Sequence, residues 1–334
     1  MKKMTFSLCA AMLPMSVAYA GNIDIQLLAD TSTQSQATVT VTATNHGDTE
    51  ERISRWDLPF EFDGSLAAPL LEVTHDGKPV NYIGKLIKRA PIDEGDTIAL
   101  APGQMIAMKI HVARAYDLTA GGRFEVRYKT DMNGSGRKLR ADNTITIDVV
   151  PSTPKLAAFN RVAAGDTQFR GCSASQGQAI RGARQAATQM INGASWAMSG
   201  SVAGNRYTYW FGNHDDQRHA TVKSNINEIK AAVDNAGITV DCSCTESGVF
   251  AYVYPNQPYD VYVCPAFWSA NNTGTDSRGG TLIHELSHFT AVAGTDDHAY
   301  GQWAARQLAQ QNPAFAIANA DNYEYFSENS PDRD

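Results

Sequence analysis

A stretch near the C-terminus carries two histidines and a glutamate in the order His284-Glu285-x-x-His288. On an α-helix, residues four positions apart lie on one face, so both imidazoles can reach the same metal ion. Glu285 lies about 100° further around the helix and can contact a water molecule at the metal without being a ligand. Neutral imidazoles suit zinc, and a catalytic zinc takes three protein ligands and leaves one position open. The spacing therefore indicates a hydrolytic zinc site.

The segment after His288 offers a third ligand. Helix-favouring residues end near Ala293, and Gly294 can take the left-handed conformation that ends a helix. The chain can then fold back and bring Asp297 close to the metal. The alternative is an amphipathic helix whose histidines are half-buried and hydrogen-bonded. The Gly-Thr-x-Asp-x-x-Tyr-Gly spacing that begins at Gly294 favours the metal site.

A second pair of acidic residues lies nearer the C-terminus. Asp321 and Glu324 share one face if the segment around them is helical. Two neighbouring carboxylates repel each other unless a cation lies between them. The residues therefore indicate either a cation-binding pocket or a solvated acidic turn.

Together these motifs resemble the aspzincins, the deuterolysin-type zinc endopeptidases, and in particular their lysine-specific branch. The resemblance covers about residues 168–334. It implies that His284, His288 and Asp297 bind one zinc ion per chain and that Glu285 is the general base.

The resemblance also implies roles for three further residues. Tyr300 would stabilise the oxyanion of the tetrahedral intermediate, a role that its spacing from Asp297 alone only permits. Asp321 and Glu324 would form the pocket for a substrate lysine on the C-terminal side of the cut bond. Fold and activity are then those of an α+β zincin-type endopeptidase whose partners are protein and peptide substrates.

Composition and charge exclude some other functions. The chain has 334 residues and a net charge of −7, and from residue 164 onward it holds 10 Lys/Arg against 17 Asp/Glu. This acidic half argues against nucleic acid as a partner and is compatible with a basic substrate. After the N-terminal leader, no apolar run is long enough to span a membrane. We expect a monomer without a membrane anchor.

The N-terminus has the pattern of a secretory signal over residues 1–20. Two lysines precede an apolar region, and Ala18-Tyr19-Ala20 fits a cleavage site. Residues 21–150 contain short alternating segments separated by turn residues, which favours an all-β sandwich of immunoglobulin-like type. Residues 151–167 form a Pro-containing linker with a processing site. We therefore expect a propeptide before a catalytic domain at 168–334; a permanent accessory module, for instance one that binds carbohydrate, is the alternative.

The C-terminal half changes to helical periodicity. Helices are predicted at Gln176–Ser199, Ala220–Ala236 and Gln302–Gln310, with three short strands between residues 238 and 264. An edge strand in such a sheet can pair with an extended substrate, and Phe250–Pro255 is the candidate.

Four cysteines remain once Cys9 leaves with the signal: Cys172, Cys242, Cys244 and Cys264. An even number in an exported chain suggests two disulfides. A bond between Cys242 and Cys244 would close a strained ring, which leaves two pairings that sequence reasoning cannot separate. The resemblance implies Cys172–Cys242 and Cys244–Cys264.

The distribution of lysines suggests how a precursor is kept inactive. After the linker only Lys223 and Lys230 occur, whereas the propeptide region holds several. Gly84-Lys85-Leu86-Ile87-Lys88-Arg89 combines basic and apolar residues after a flexible glycine. As a loop it could place Lys85, or secondarily Lys88, between Asp321 and Glu324; a solvated basic loop is the alternative.

These predictions describe a secreted zinc endopeptidase, made as a proenzyme and inhibited by its own propeptide, that acts on host or extracellular proteins. The competing hypothesis is a secreted binding protein with a structural metal site and a β-sandwich recognition module. Glu285 argues against it, because a structural site needs no base at that position.

Overall fold

The computed structural model describes residues 22–30, 37–59, 61–62, 65–92, 94–129, 139–153 and 162–334, with the backbone alone at 61, 62 and 65. The predicted signal at residues 1–20 and residues 154–161 of the predicted linker lie outside these ranges. Within them, no helix combines the length and the apolar character that crossing a membrane requires.

The described residues from 22 to 153 form strands and short 3-10 turns but no α-helix. The strands are β1 (Ile23–Ala29), β2 (Thr38–Asn45), β3 (Glu51–Ser54), β4 (Glu61–Phe62), β5 (Ser65–Leu66), β6 (Leu71–His75), β7 (Lys78–Pro79), β8 (Leu86–Arg89), β9 (Thr97–Leu100), β10 (Met105–His111), β11 (Gly122–Tyr128) and β12 (Thr144–Val149).

Two antiparallel sheets make up most of this N-terminal half. One has the order β1-β2-β10 and the other β12-β11-β6-β7, while β3 pairs with β9 and β4 with β5. Alternate side chains point inward, as in β11, where Phe124, Val126 and Tyr128 are buried and their neighbours are exposed. Apolar residues from both sheets form one buried cluster. The period-two pattern in the sequence therefore marks the faces of these sheets.

The C-terminal half contains strands and helices. The strands are β13 (Thr167–Arg170), β14 (Ile238–Asp241), β15 (Val249–Val253) and β16 (Asp260–Val263), and the helices are α1 (Ala174–Ala197), α2 (Asn205–Phe211), α3 (Asp216–Asn235), α4 (Pro265–Ser269), α5 (Arg278–His288), α6 (Gly301–Gln311), α7 (Pro313–Ala316) and α8 (Ala320–Glu328). The predicted helices lie within a few residues of α1, α3 and α6.

Local capping explains where the main helices begin. Ser173 and Gln176 form a capping box at the start of α1, and Asp215 accepts a hydrogen bond from the first turn of α3. Ser277 does the same for α5. The apolar faces of α1, α3, α5 and α8 pack in one core with the inner face of the sheet.

A strand of the N-terminal half completes the C-terminal sheet. The order is β13-β14-β16-β15-β8, with β8 antiparallel to β15. The prediction of a loop at Gly84–Arg89 is therefore wrong, because Leu86–Arg89 finds its hydrogen-bonding partner in a distant part of the chain. For the same reason β15 is not an edge in this structure. Ile87, Val249 and Tyr252 share a buried cluster that joins the two halves.

Two disulfides, Cys172–Cys242 and Cys244–Cys264, have the pairing that the resemblance implies. The first links the segment before α1 to the end of β14. The second links the next segment to the end of β16. Both therefore tie a loop to the end of a strand of the C-terminal sheet.

Candidate active site

Helix α5 places the two histidines of the motif in the interior. Every residue from Gly279 to His288 is buried, and the rings of His284 and His288 lie 4.8 Å apart between centroids. The backbone carbonyl of Thr295 accepts a hydrogen bond of 2.8 Å from His288 Nδ1. With Nδ1 as donor, His288 Nε2 is left with a lone pair that faces the site.

The turn after α5 brings a carboxylate to both imidazoles. Gly294 has a φ of +59°, and the chain then reverses so that Thr295 N donates to Ser287 O. Asp297 Oδ1 lies 3.2 Å from His284 Nε2, and Asp297 Oδ2 lies 3.5 Å from His288 Nε2. The structure thus brings together the three residues predicted as metal ligands.

The donor set fits a zinc ion. One ligand atom from each of His284, His288 and Asp297 lies within 4.8 Å of the others, and all three side chains are buried. His284 Nε2, His288 Nε2 and both oxygens of Asp297 have no hydrogen-bond partner within the described structure. Buried polar atoms are rarely left unpaired, so their convergence indicates a bound cation. Two imidazoles and one carboxylate are a donor set that zinc takes in catalytic sites.

Electrostatics support a close interaction within this group. Burial alone would lower the pKa of His284, but the Asp297 carboxylate outweighs it and the pKa lies well above its usual value. Burial raises the pKa of Asp297, yet His288 and His284 together bring it below its usual value. The carboxylate is thus ionised, as a metal ligand must be.

Glu285 is the second acidic group at this site. It is fully buried, and neither carboxyl oxygen has a hydrogen-bond partner within the described structure. Burial, with the nearby Asp297, raises its pKa to about 8, although His284 acts in the opposite direction. A carboxylate with a pKa near neutrality is suited to accept and return a proton.

Tyr300 lies at the N-terminus of α6, close to the metal-binding group. Burial and the charge of Asp297 raise the pKa of its hydroxyl well above the usual value. The hydroxyl therefore stays protonated and can donate a hydrogen bond. The guanidinium of Arg89, from β8, lies 3.9 Å from the centroid of the Tyr300 ring.

Helix α8 carries the predicted acidic pair, and both carboxylates are buried. Glu324 Oε2 lies 2.7 Å from Lys88 Nζ and Asp321 Oδ1 lies 3.9 Å from it. Burial alone would lower the pKa of Lys88, but Glu324 and then Asp321 outweigh it and raise the pKa well above its usual value. Phe250 also faces the ammonium, at 5.2 Å from its ring centroid. The pocket thus holds a charged lysine.

Lys88, and not Lys85 as first expected, lies in the acidic pocket. Lys85 Nζ lies over the ring of Tyr252, at 4.4 Å, and Lys88 occupies the acidic pocket. Residues three apart in an extended chain point to opposite faces, so only one of them can face the pocket. The pairing of Lys88 with Ala251 selects Lys88.

Two contacts were not predicted from the sequence. Asp276 contributes a third carboxylate to the pocket, 3.2 Å from Lys88 Nζ, and Arg89 covers Tyr300. Asp276 directly precedes Ser277, the N-cap of the helix that carries both histidines. The sequence shows an acidic residue at that place, but this alone does not indicate a pocket.

Comparison with known proteins identifies the family. A family model described as lysine-specific metallo-endopeptidase, of the aspzincins, matches residues 197–328. An extracellular protease of Aeromonas hydrophila is 40% identical over 99% of this chain and 99% of its own length. The chain belongs to the aspzincin family. This aspzincin is a zinc metalloendopeptidase.

Fungal relatives match either nearly the whole chain or about half of it. A peptidyl-Lys metalloendopeptidase of Armillaria mellea is 34% identical over 98% of this aspzincin and 96% of its own length. One from Pleurotus ostreatus is 49% identical over 49% of this chain and 97% of its own length. A solved zinc peptidase from Grifola frondosa shares 45% identity, with a TM-score of 0.47, over 49% of this chain and 100% of its own.

Proposed function

We propose that this aspzincin is secreted as a proenzyme and cuts peptide bonds on the N-terminal side of lysine in host or extracellular proteins. The observation that carries the proposal is the buried ammonium of Lys88, 2.7 Å from Glu324, in a pocket that shares His284 with the metal-binding group. A substrate lysine would take the place of Lys88. The names of the fungal relatives support the same specificity.

One zinc ion would be held by His284, His288 and Asp297. When bound, it would lower the pKa of a water molecule from about 15.7 toward about 7 and polarise the scissile carbonyl. Glu285 would take the proton from that water and deliver it to the leaving amine. Its burial keeps bulk water away, so the proton can move between these two partners alone.

Tyr300 would donate its hydroxyl proton in a hydrogen bond to the oxyanion of the tetrahedral intermediate. The hydroxyl is kept protonated by burial and by Asp297, and it approaches the site from a different element than α5. A donor placed where negative charge develops stabilises the transition state more than the ground state. The group therefore has a base, a metal site and an oxyanion donor.

The acidic pocket, to which Asp321 and Glu324 belong, would select lysine over arginine. It receives a compact ammonium at the end of a four-carbon stem, and the rings of Phe250 and Tyr325 face that ammonium. Arginine would bring a planar guanidinium with five donors, which needs more width than an ammonium. Burial of the two carboxylates also makes an uncharged side chain unfavourable there, because it leaves them without a cation.

The pairing of strand β8 supports a proposal for how an extended substrate would bind. It lies antiparallel to β15, and Lys88 enters the pocket from it. Backbone pairing of this kind gives affinity without regard to sequence, while the pocket gives specificity. In a substrate bound the same way, the bond before the lysine would face Glu285. The propeptide would thus inhibit by filling both the strand site and the lysine pocket.

The remaining organisation is part of the proposal. Residues 1–20 would be a signal peptide, 21–150 a propeptide with an immunoglobulin-like sandwich, 151–167 a linker with the processing site, and 168–334 the catalytic domain of a monomer. The buried cluster shared by both sheets supports the sandwich. The contacts of β8 with the active site favour an inhibitory propeptide over an accessory module or a binding protein.

A peptide library tests the proposed specificity. The zinc-loaded enzyme prepared from the full chain is incubated with mixed peptides, with and without a chelator, and the products are sequenced. We expect cuts before lysine that cease on chelation and return with zinc. Cuts without a lysine preference would contradict the proposed specificity, and cuts that survive chelation would contradict the proposed zinc site.

A further inference from the structure

Asp276 is a third carboxylate in the acidic pocket and lies on a different element from the other two. It belongs to the turn before α5, whereas Asp321 and Glu324 lie on α8. Its φ is +51°, a left-handed conformation that aspartate tolerates better than most residues. Asp276 Oδ1 lies 3.2 Å from Lys88 Nζ, within hydrogen-bond distance.

The three carboxylates are not equivalent toward the ammonium. An ammonium has three N–H donors, and Glu324 at 2.7 Å and Asp276 at 3.2 Å are close enough to accept two of them. Asp321 lies 3.9 Å away, which is beyond a hydrogen bond. Asp321 thus contributes charge to the pocket but no direct bond to the ammonium.

The oxygens of Asp321 have other partners. Oδ2 accepts a hydrogen bond of 2.6 Å from Gly301 N, the residue after Tyr300. Oδ1 lies 2.9 Å from His284 Nδ1, and Glu324 Oε2 lies 3.1 Å from the same nitrogen. Asp321 therefore contacts both a proposed zinc ligand and the backbone that carries the proposed oxyanion donor.

Asp276 is held in place by hydrogen bonds with Tyr325 and Glu328. The Tyr325 hydroxyl donates to Asp276 Oδ1 at 2.7 Å. The Glu328 carboxylate accepts hydrogen bonds from Asp276 N at 3.2 Å and from Ser277 N at 2.8 Å. The carboxylate of Asp276 is thus oriented before a substrate arrives, which reduces the entropy cost of binding.

We infer that Asp276 is a specificity-determining residue that binds the substrate lysine together with Glu324, whereas Asp321 is a positioning residue for His284. The inference rests on the proposed lysine specificity, since Lys88 stands in for the substrate side chain. Two separate elements, the turn before α5 and helix α8, then bind one ammonium.

Three single substitutions separate these roles: Asp276→Asn, Asp321→Asn and, as a control, Asp216→Asn. Asp216 is fully exposed on α3, so its substitution removes the same charge away from the site. For each zinc-loaded enzyme, kcat and KM are measured for a lysine peptide and for a matched peptide without lysine. Zinc affinity is measured separately by competition with a chelating dye.

For Asp276→Asn we expect about a tenfold rise in KM for the lysine peptide, little change for the other peptide, and unchanged zinc affinity. For Asp321→Asn we expect zinc affinity to fall about 10- to 100-fold, as when a partner of a metal ligand is lost. Tyr325→Phe should repeat the effect of Asp276→Asn more weakly. Asp216→Asn should leave all these quantities unchanged.

If the parent enzyme is lysine-specific and Asp276→Asn keeps that selectivity, the inference is wrong while the proposed specificity stands. The same holds if Asp276→Asn weakens zinc binding as much as Asp321→Asn does. A parent enzyme that shows no lysine preference would overturn the proposed specificity and the inference with it.

Discussion

Lys88 Nζ lies 2.7 Å from Glu324 Oε2, and both side chains are almost completely buried. Lys88 is in a strand of the N-terminal half, and Glu324 is in the last helix. Removing one partner of a buried ion pair leaves an uncompensated charge, which typically costs about 3–5 kcal/mol. The pair therefore contributes to the contact between the two halves as well as filling the pocket.

Replacing Lys88 should raise the activity of the uncleaved full chain if the proposed inhibition holds. Lys88→Ala and Lys88→Met both remove the ammonium, and the methionine keeps most of the stem. We expect hydrolysis of a lysine peptide by the uncleaved full chain to rise at least about tenfold, which corresponds to about 1.4 kcal/mol of lost inhibition. Lys85→Ala, whose ammonium lies over Tyr252 outside the pocket, is the comparison variant and should raise the rate less than Lys88→Ala does.

Comparing these variants shows whether the contact of Lys88 or the whole segment keeps the full chain inactive. Equal activation by Lys85→Ala and Lys88→Ala would mean that the segment inhibits as a whole. No activation by either would place inhibition in another contact.

Arg89→Ala should also weaken inhibition. Its guanidinium lies 3.9 Å from the Tyr300 ring centroid, and a desolvated cation–π contact contributes about 2 kcal/mol. We expect the activity of the uncleaved full chain to rise up to about 30-fold. In a Tyr300→Leu background, adding Arg89→Ala should leave the activity at that of the Tyr300→Leu single variant. A rise that persists there would show that Arg89 acts through another neighbour.

Glu285→Gln should abolish proteolysis without loss of metal. The amide keeps the shape of the side chain but cannot accept the proton, so kcat should fall by about 10²–10⁴. Zinc content by atomic absorption should stay at the parental value, and the urea midpoint should not fall. Near-normal turnover in this variant would exclude Glu285 as the base.

Asp297→Asn should lower zinc affinity, with Asp296→Asn as its neighbour control. Asp297 is buried against both imidazoles, whereas the Asp296 side chain is about half exposed. Loss of a direct ligand should cost more than the roughly 10- to 100-fold typical of a lost partner of a ligand. Dialysis followed by atomic absorption measures the effect; retained zinc in Asp297→Asn would require a different third ligand.

Local sequence predicted which side chains lie together where the residues belong to one helix and the turn after it. The spacing of His284 and His288 fixes their common face, and Gly294 allows the reversal that brings Asp297 back. Strand β8 could not be predicted as a strand, because all of its backbone partners lie in β15. Which lysine enters the pocket depends on that pairing, since a shift by an odd number of residues turns every side chain to the other face.

The role of Asp276 could not be predicted from local sequence either. Nothing in its local sequence distinguishes an acidic N-terminal turn from a wall of a binding pocket. Its role depends on α8, which packs beside the start of α5 and brings Glu324 and Glu328 next to that turn. Contacts between elements far apart in sequence follow from packing, which periodicity does not specify.

The close approach of α8 to α5 depends on the absence of a side chain at Gly280. A Cβ atom at Gly280 would lie 2.1 Å from Glu328 Oε1 and 3.0 Å from Glu324 Oε1. The Glu328 carboxylate cannot move freely, because it accepts hydrogen bonds from Asp276 N and Ser277 N. Gly280→Ala should therefore displace the carboxylates, cost about 1–3 kcal/mol in the free energy of unfolding, and reduce the preference for lysine.

Gly193→Ala is the matched control, because Gly193 is also in a helix but has nothing within 4 Å of an added Cβ. Alanine is favoured over glycine inside a helix by about 1 kcal/mol, so this variant should gain stability. Urea unfolding of both full-length variants measures the difference, and peptide hydrolysis measures the selectivity. If Gly280→Ala is as stable and as selective as the parent, α8 can shift away from α5, and the pocket does not depend on their close packing.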